Sequence, residues 1–211
     1  MNLFYCFHER GNVLKLNIMM AAYWSLPAIF KEDETMVRER LEDYVRTIPD
    51  FPEPGIMFRD ITTVLSDADG LKLAVDEMAK KLENVDFDVI AGAEARGFIF
   101  GAALAYNLHK PFILVRKKGK LPCETVQQTY DLEYCTATIE IHKDAVKPGE
   151  KVVIVDDLIA TGGTVEAAAQ LIEKLGGEVV MMVFLMELAG LCGREKLKKY
   201  NVESVICYEG K

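Results

Sequence analysis

The chain has 211 residues, of which 50% are hydrophobic and 27% are charged, and its formal net charge at pH 7 is −8. A chain of this length forms one domain with its own core, with room for a small appendage. The acidic balance argues against a general binder of nucleic acids or anionic membranes, because affinity for phosphate backbones requires clustered Lys and Arg. Five scattered cysteines, without a CxxC or Cys/His cluster, favour reduced thiols in a cytoplasmic protein over a disulfide framework or a zinc site.

The first 35 residues differ from the rest of the chain. The stretch from Leu16 to Phe30 is apolar, but it is too short for a membrane span and is interrupted by polar residues and a proline. We expect residues 1–35 to be a non-catalytic extension, either disordered or the product of an upstream start site, with Met36 as the alternative start. A secretory signal is the competing interpretation. The folded domain is expected to be residues 36–211.

Hydrophobic periodicity predicts the elements in chain order. Helices are predicted over residues 36–47, 71–82 and 98–108, with another that follows residue 164 and ends at Gly176–Gly177. Strands are predicted over residues 88–91, 111–115, 136–141, 152–155, 179–185 and 204–208. The strand at 136–141 alternates with period two and is expected to be half exposed and antiparallel. The polar segment 117–133 shows no periodicity, as is typical of a flexible lid loop.

Strands that alternate with helices predict an α/β fold, with a mainly parallel twisted sheet and helices on both faces. Ligands of such sheets bind beyond the carboxyl ends of the strands. Three polar segments directly follow predicted strands, namely Glu94–Arg96, Arg116–Lys117 and Asp156–Asp157. We therefore expect these segments to meet at one edge of the sheet.

The segment 152–164 is the most informative part of the chain, since a buried strand leads into two carboxylates, a loop of small residues and a helix. Glycines let the loop's N–H groups face a ligand, and the start of the helix adds partial positive charge. This order suits a sugar phosphate, with Asp156 and Asp157 accepting from ribose hydroxyls. The loop that would hold the phosphate consists of Ala160, Thr161, Gly162, Gly163 and Thr164. The alternative is a solvent-exposed acidic pair followed by an ordinary strand-to-helix turn. It does not explain why strand, carboxylates, small-residue loop and helix occur together in this order.

The segment 152–164 resembles the phosphoribosyl pyrophosphate (PRPP) motif of type I phosphoribosyltransferases. Further runs match in order, at residues 51–63, 95–98, 115–122 and 130–134. Together they make the chain, over about residues 41 to 190, similar to the adenine phosphoribosyltransferases. The resemblance implies a type I phosphoribosyltransferase fold for residues 36–211, with a small hood and a flexible lid loop. It also implies conversion of adenine and PRPP to AMP and pyrophosphate in purine salvage.

The resemblance also implies roles for individual residues. The base would be bound by Ile56, Phe58 and Arg59, and pyrophosphate by Arg96, Arg116 and Lys120. Glu133 would close over the base and help to handle its proton, beside Asp156 and Asp157 at the ribose. Mg²⁺ is implied as cofactor, held by substrate oxygens and water without direct protein ligands. A homodimer is implied, with no nucleic-acid or membrane partner.

Some features leave alternatives open. Cys123 stands where the family pattern has Gly, and Cys adopts a positive φ less easily, which puts the closed lid geometry in doubt. Glu94 is expected to be structural or close to a metal, and Lys196, Lys198 and Lys199 to form a solvated helix face. Another purine substrate, such as hypoxanthine, guanine or xanthine, is compatible with the segment 152–164. A non-catalytic PRPP-sensing regulator on the same fold is the other alternative, and the acidic balance counts against it.

Overall fold

The computed structural model describes residues 40–131 and 136–210. The prediction for residues 1–35 and the role assigned to Glu133 lie outside these ranges. The strands are β1 (Arg46–Pro49), β2 (Met57–Asp60), β3 (Val89–Ala93), β4 (Phe112–Lys117), β5 (Thr125–Asp131), β6 (Thr136–His142), β7 (Lys151–Ile159), β8 (Glu178–Leu188) and β9 (Val202–Tyr208). The α-helices are α1 (Thr62–Leu65), α2 (Ala68–Lys80), α3 (Gly97–Asn107), α4 (Gly163–Lys174) and α5 (Gly193–Lys196). Two 3-10 turns cover Leu41–Tyr44 and Ala189–Leu191.

Seven strands form the central sheet, in the order β5-β6-β4-β3-β7-β8-β9. The run from β4 through β3, β7 and β8 to β9 is parallel, whereas β6 is antiparallel to both β4 and β5. The predicted α/β fold and the antiparallel strand at 136–141 are confirmed. Because five strands are parallel, their carboxyl ends share one edge of the sheet, which is where the polar segments were expected to meet.

The sheet separates two apolar layers. In β7, Val153 and Val155 face one layer, while Val152 and Ile154 face the other, as the alternation of a strand requires. Helices α2 and α3 contribute to the first layer, and α4 contributes to the second. Burial on both faces explains why β7 is continuously apolar, and it confirms the predicted helices on both sides. Within the described ranges, no helix has the length and hydropathy to cross a membrane.

A separate two-stranded sheet, β1 with β2, forms the hood. The helix predicted over residues 36–47 is wrong from residue 41 onward, where one 3-10 turn leads into β1; residues 36–39 are outside the described ranges. Leu41 and Tyr44 are buried, and the Tyr44 ring packs so closely on Gly70 that a Cβ there would lie 2.6 Å from it. Antiparallel pairing of Arg46 with Asp60 then fixes an extended backbone, so tertiary contacts override the helical pattern.

The segment 117–133 also differs from the prediction of an aperiodic lid. It contains β5, which pairs along its length with β6. Its alternating burial follows the strand period, which the polar side chains conceal in the sequence. Only the turn between β4 and β5 remains a loop among the described residues of this segment.

The hood contains an ion pair that should make stability depend on pH. Arg46 donates to Asp60, which also accepts from the Thr62 amide at 2.9 Å and the Thr62 hydroxyl at 2.8 Å. The Arg46 guanidinium, with Thr62, lowers the pKa of Asp60 from 3.8 to about 2. A lowered pKa stabilises the fold above the ordinary pKa, and this stabilisation disappears as pH falls through the folded-state value.

We therefore expect Asp60→Asn to lower the free energy of unfolding by a constant amount near neutral pH. The difference from wild type should shrink as pH falls from about 4 to about 2, the interval between the two pKa values. Urea unfolding of both proteins at a series of pH values measures this difference. Curves that stay parallel throughout that interval would contradict the assignment.

Candidate active site

A cavity of about 250 Å³ opens at the carboxyl end of β7. Its walls come from two segments, residues 94–96 after β3 and residues 156–165 at the end of β7 and the start of α4. These are two of the three polar segments that the sequence places at one edge. The peptide bond between Glu94 and Ala95, in the cavity wall, is cis.

The floor of the cavity is the small-residue loop from Ala160 to Thr164. Gly162 has φ +78° and precedes the first residue of α4, so the chain turns directly into the helix. No described side chain caps this helix, and its first N–H groups are therefore available to an anion. The Thr164 hydroxyl donates to the hydroxyl of Tyr130 on β5, at 3.0 Å. The loop thus combines backbone and hydroxyl donors with the positive end of a helix, as a phosphate requires.

The sequence places the acidic pair after the strand, but in the structure Asp156 and Asp157 lie inside β7. Asp157 is 4% exposed, and its carboxylate accepts from Arg96 Nε at 2.8 Å. The Asp157 amide donates to the Asp156 carboxylate at 2.9 Å. Burial raises the pKa of Asp156 well above its ordinary value, and the neighbouring Asp157 charge raises it further. Burial also raises the pKa of Asp157, although Arg96 acts in the opposite direction.

Arg116, on β4, is held by Glu94 of the cavity wall. The Arg116 guanidinium donates to the two Glu94 oxygens at 3.3 and 3.4 Å, and the Lys117 amide donates to Glu94 at 2.8 Å. Burial alone would raise the pKa of Glu94, but the Lys117 amide and Arg116 hold it below its ordinary value. Glu94 thus orients Arg116 toward the edge where Arg96 and the acidic pair lie. Arg116 also donates to the Lys120 carbonyl at 3.3 Å.

Glu140 organises the turn that carries Lys120. Its side chain is buried at 2% exposure, whereas the alternation of β6 predicted an exposed position. It accepts from the amides of Lys120 and Leu121 at 3.0 and 3.1 Å, and from the Thr125 hydroxyl and the Gln127 amide at 3.2 Å. Burial would raise the pKa of Glu140, but these donors, led by the Leu121 and Lys120 amides, hold it below the ordinary value. The buried carboxylate therefore fixes the loop between β4 and β5.

We expect Glu140→Gln to loosen this loop, because a side-chain amide cannot accept from all four donors and would set its own NH₂ against that of Gln127. The free energy of unfolding should fall by about 1–3 kcal/mol, the cost of leaving a buried donor unpaired. Amide hydrogen exchange should quicken at residues 118–122. Glu124→Gln is the matched control, since Glu124 lies in the same segment but pairs with Lys143 at the surface. Unchanged exchange in Glu140→Gln would contradict the proposed role.

The hood residues with predicted base contacts lie apart from this cavity wall. Phe58 packs edge-on against Phe51, with the ring centroids 5.1 Å apart, and Ile56 is exposed. Arg59 stacks over the ring of Tyr208 at 4.0 Å and donates to Thr47. Tyr208 ends β9, so this contact fastens the hood to the same edge of the sheet. The Arg59 Nε atom is buried and has no hydrogen-bond partner within the described ranges.

Cys123 does not impose strain in this structure. Among the described non-glycine residues, positive φ values occur at Asp50, His109 and Cys192, not at Cys123. Gly119 takes the left-handed conformation in this loop instead. The side chain of Cys123 is exposed and its thiol is free. Replacement of Gly by Cys is therefore compatible with the observed loop.

Two glycines that the sequence did not single out shape the site. A Cβ on Gly97, at the start of α3, would lie 2.8 Å from an Asp156 carboxylate oxygen. A Cβ on Gly193 would collide with the carbonyl oxygen of Ala160. Both glycines allow a distant segment to pack directly against the acidic pair or the small-residue loop. No local pattern reveals this requirement, because the partner is about 30 to 60 residues away in the chain.

Comparisons with known proteins agree with this geometry. Residues 63–209 match the family described as the phosphoribosyl transferase domain. The adenine phosphoribosyltransferase of Agathobacter rectalis is 72% identical over 171 residues, which cover 81% of this chain and 98% of that protein. The crystal structure of the Thermoanaerobacter pseudethanolicus adenine phosphoribosyltransferase has 54% identity and a TM-score of 0.77, covering 80% of this chain and 100% of the other.

A third comparison includes ligands. The Saccharomyces cerevisiae adenine phosphoribosyltransferase, crystallised with an imino-altritol bisphosphate and adenine, has 40% identity and a TM-score of 0.74. The match covers 78% of this chain and 95% of the yeast chain. The sequence identity, its extent and the shared fold lead to one assignment: this chain belongs to the adenine phosphoribosyltransferases of the phosphoribosyl transferase family.

Proposed function

We propose that the protein transfers the phosphoribosyl group of PRPP to adenine, which yields AMP and pyrophosphate and salvages a free purine base. The observation that carries this proposal is the cavity at the end of β7. There an uncapped helix start, a loop of small residues and two carboxylates stand side by side. The phosphate of the sugar would bind at residues 160–164, and the ribose hydroxyls would donate to Asp156 and Asp157.

In this reaction a ring nitrogen of adenine bonds to the anomeric carbon as the bond from that carbon to pyrophosphate breaks. The sugar acquires oxocarbenium character, and the leaving oxygens gain negative charge. We assign the stabilisation of that charge to Arg96, which pairs with Asp157, and to Arg116 and Lys120, which are joined through the Lys120 carbonyl. Preorganised positive groups that meet charge in the transition state lower the barrier directly. Adenine also gives up a ring proton, and we propose that the Glu133 carboxylate helps to accept it.

The negative charge of the cavity suits a bound cation such as Mg²⁺, since its described lining contains the carboxylates of Glu94, Asp156 and Asp157 and the guanidinium of Arg96. No group of three or more His, Cys, Asp or Glu side chains suited to a metal occurs within residues 40–131 and 136–210. We therefore propose that substrate oxygens and water hold the ion, with Asp156 and Asp157 acting through them. When bound, Mg²⁺ would neutralise charge on the pyrophosphate.

The base would bind under the hood, which presents exposed Ile56 and Met57 beside the aromatic pair of Phe51 and Phe58. Apolar side chains suit the faces of a flat heterocycle, and the backbone of the proline-rich loop suits its edge. Because relatives that are 72% and 75% identical to this chain are named adenine phosphoribosyltransferases, we propose adenine rather than hypoxanthine, guanine or xanthine as the substrate.

We also propose that the protein is a cytoplasmic homodimer whose catalytic domain is residues 36–211, with residues 1–35 outside catalysis. The described cysteines Cys123, Cys192 and Cys207 are free and exposed, which suits a reducing compartment.

Ile99 and Tyr106 are exposed on one side of α3, and Leu114 is exposed on the neighbouring β4. An apolar surface of this kind suits contact with a second copy. Sedimentation equilibrium at micromolar concentration tests the dimer.

The direct test is pyrophosphate release by the full chain with PRPP, Mg²⁺ and each purine in turn. We expect rapid release with adenine and loss of activity when Mg²⁺ is chelated. Turnover of hypoxanthine or guanine faster than adenine would refute the proposed specificity. A protein that binds PRPP but releases no pyrophosphate with any base would instead support a regulatory role.

A further inference from the structure

The cavity is short of positive charge for a phosphorylated ligand. Among the described residues three carboxylates line it, and the one cation in that lining, Arg96, already pairs with Asp157 at 2.8 Å. The loop 160–164 contributes only N–H and hydroxyl donors. A phosphate monoester brings a charge of about −1.5 to −2 at neutral pH. Close to the loop itself, a second cation would therefore contribute strongly to binding.

Lys196, at the end of α5, places an ammonium group beside this loop. Its Nζ lies 3.9 Å from the position that a Cβ on Gly163 would occupy. Gly163 is the first residue of α4, where the free N–H groups are. Among the residues that the structure describes, Lys196 forms no ion pair, whereas Lys198 pairs with Glu195 and Lys199 pairs with Glu173. Of these three lysines, Lys196 alone keeps its charge available at the loop.

The segment that carries Lys196 is firmly anchored. Arg194 donates to both oxygens of Glu187 at 2.7 to 2.8 Å and to the Val202 carbonyl at 2.6 Å. Ser204 donates to the same Glu187 carboxylate at 2.8 Å. Bidentate pairing of this kind is among the strongest and most directional contacts available to a side chain. It fixes α5 to the carboxyl end of β8 and to the first residues of β9.

Contact between α5 and the loop fixes their separation. Gly193 packs against the carbonyl of Ala160, and its own carbonyl lies 2.8 Å from the position of a Cβ on Gly162. Neither contact leaves space for a methyl group. Lys196 thus belongs to a helix, α5, that packs against the loop, although its own side chain is exposed to solvent. The side chain is therefore solvated, as the sequence predicted, and in addition it lies beside the loop 160–164.

We propose that Lys196 is a substrate-binding residue whose ammonium group contacts the phosphate held by residues 160–164. The inference rests on the proposed function of that loop. Lys196 would add charge to the backbone and hydroxyl donors, and so offset the carboxylates that the ribose requires. Tyr130, whose hydroxyl accepts from Thr164, lies on the same side of Gly163 as Lys196, with its ring 3.5 Å from that Cβ position.

Isothermal titration calorimetry with AMP, ribose 5-phosphate and adenine tests the proposal on the full chain. We expect Lys196→Ala to weaken binding of AMP and ribose 5-phosphate by the same factor, about 10- to 100-fold. Adenine, which lacks the phosphate, should bind as it does to wild type. Lys196→Arg should restore most of the affinity, and the effect of Lys196→Ala should shrink as salt concentration rises.

Lys198→Ala is the matched control, since Lys198 lies two residues away and pairs with Glu195. It should bind all three ligands like wild type. Equal AMP affinity in Lys196→Ala and wild type would overturn this inference alone. Equal losses for adenine and AMP would also overturn it, since they would indicate a structural role. Failure of the wild type to bind AMP would overturn the proposed function, and this inference with it.

Discussion

Asp157→Asn is expected to lower turnover about a hundredfold while leaving the thermal unfolding midpoint unchanged or slightly raised. The carboxylate is buried beside Asp156, and burial raises its pKa despite the Arg96 partner. A raised pKa means that the ionised side chain is held in the fold at a net cost, so a neutral replacement of the same shape should not destabilise it. Catalysis loses a charge-assisted hydrogen bond to the ribose, which is worth about 3 kcal/mol in the transition state.

Steady-state rates with PRPP and adenine, together with thermal unfolding, measure both halves of this expectation. Asp144→Asn serves as the control, because Asp144 is an exposed carboxylate in the loop before β7, at the opposite end of that strand. Near-native turnover in Asp157→Asn would remove the proposed role of the acidic pair. A large drop in the unfolding midpoint would show instead that the Arg96 pair mainly holds the fold.

The raised pKa values also predict how ligand affinity varies with pH. Asp156 and Asp157 must be ionised to accept from two ribose hydroxyls, and burial favours the protonated form of both. The affinity for AMP should therefore fall as the solution is acidified, and it should begin to fall above the ordinary carboxyl range. Calorimetric titrations with AMP across the acidic range measure this. In Asp157→Asn the carboxyl of Asp156 no longer has a charged neighbour that raises its pKa. The fall in AMP affinity should therefore occur at lower pH than in the wild type.

The sequence predicts the central fold and the cavity because both depend on local order along the chain. Four branched apolar residues at 152–155, two carboxylates and a glycine loop are contiguous, and the sheet merely places them at its edge. Periodicity likewise suffices for α2 and α4, whose apolar faces match the layers they cover, whereas α3 is predictable from its continuous apolar character. The predicted meeting of residues 94–96 with 156–157 follows from the rule that parallel strands end at one edge.

Features that depend on contacts between distant residues were not predictable in this way. Leu41 and Tyr44 have helical spacing, but Arg46 pairs with Asp60 and draws the chain into β1. Glu140 stands in an alternating strand, yet it accepts from two donors of the neighbouring turn and two of β5. In the sequence, a lysine that lies beside the glycine loop cannot be distinguished from one that is simply solvated. The structure separates them: Lys196 Nζ lies 3.9 Å from the Cβ position of Gly163, whereas Lys198 and Lys199 pair with Glu195 and Glu173.

Gly162→Ala is expected to weaken the binding of AMP strongly, because two independent constraints act at this position. The backbone has φ +78°, a conformation that costs an L-residue with a Cβ about 1–2 kcal/mol. The new methyl group would also lie 2.8 Å from the Gly193 carbonyl oxygen, which is rigid backbone. The loop must shift away from α5, and the N–H groups at the start of α4 then lose their common direction. We expect affinity for AMP to fall at least tenfold.

Gly149→Ala separates the two constraints. Gly149 has a similar φ of +85°, but no atom lies within 4 Å of its potential Cβ, and it occupies a turn before β7. It should lose about 1–2 kcal/mol of unfolding free energy and keep the wild-type affinity for AMP. Urea unfolding and calorimetry on both variants, beside wild type, provide the comparison. If the two variants lose stability equally and both bind AMP normally, the contact with Gly193 does not shape the loop. If Gly162→Ala alone loses AMP, the close packing of α5 on residues 160–164 is required for the phosphate site.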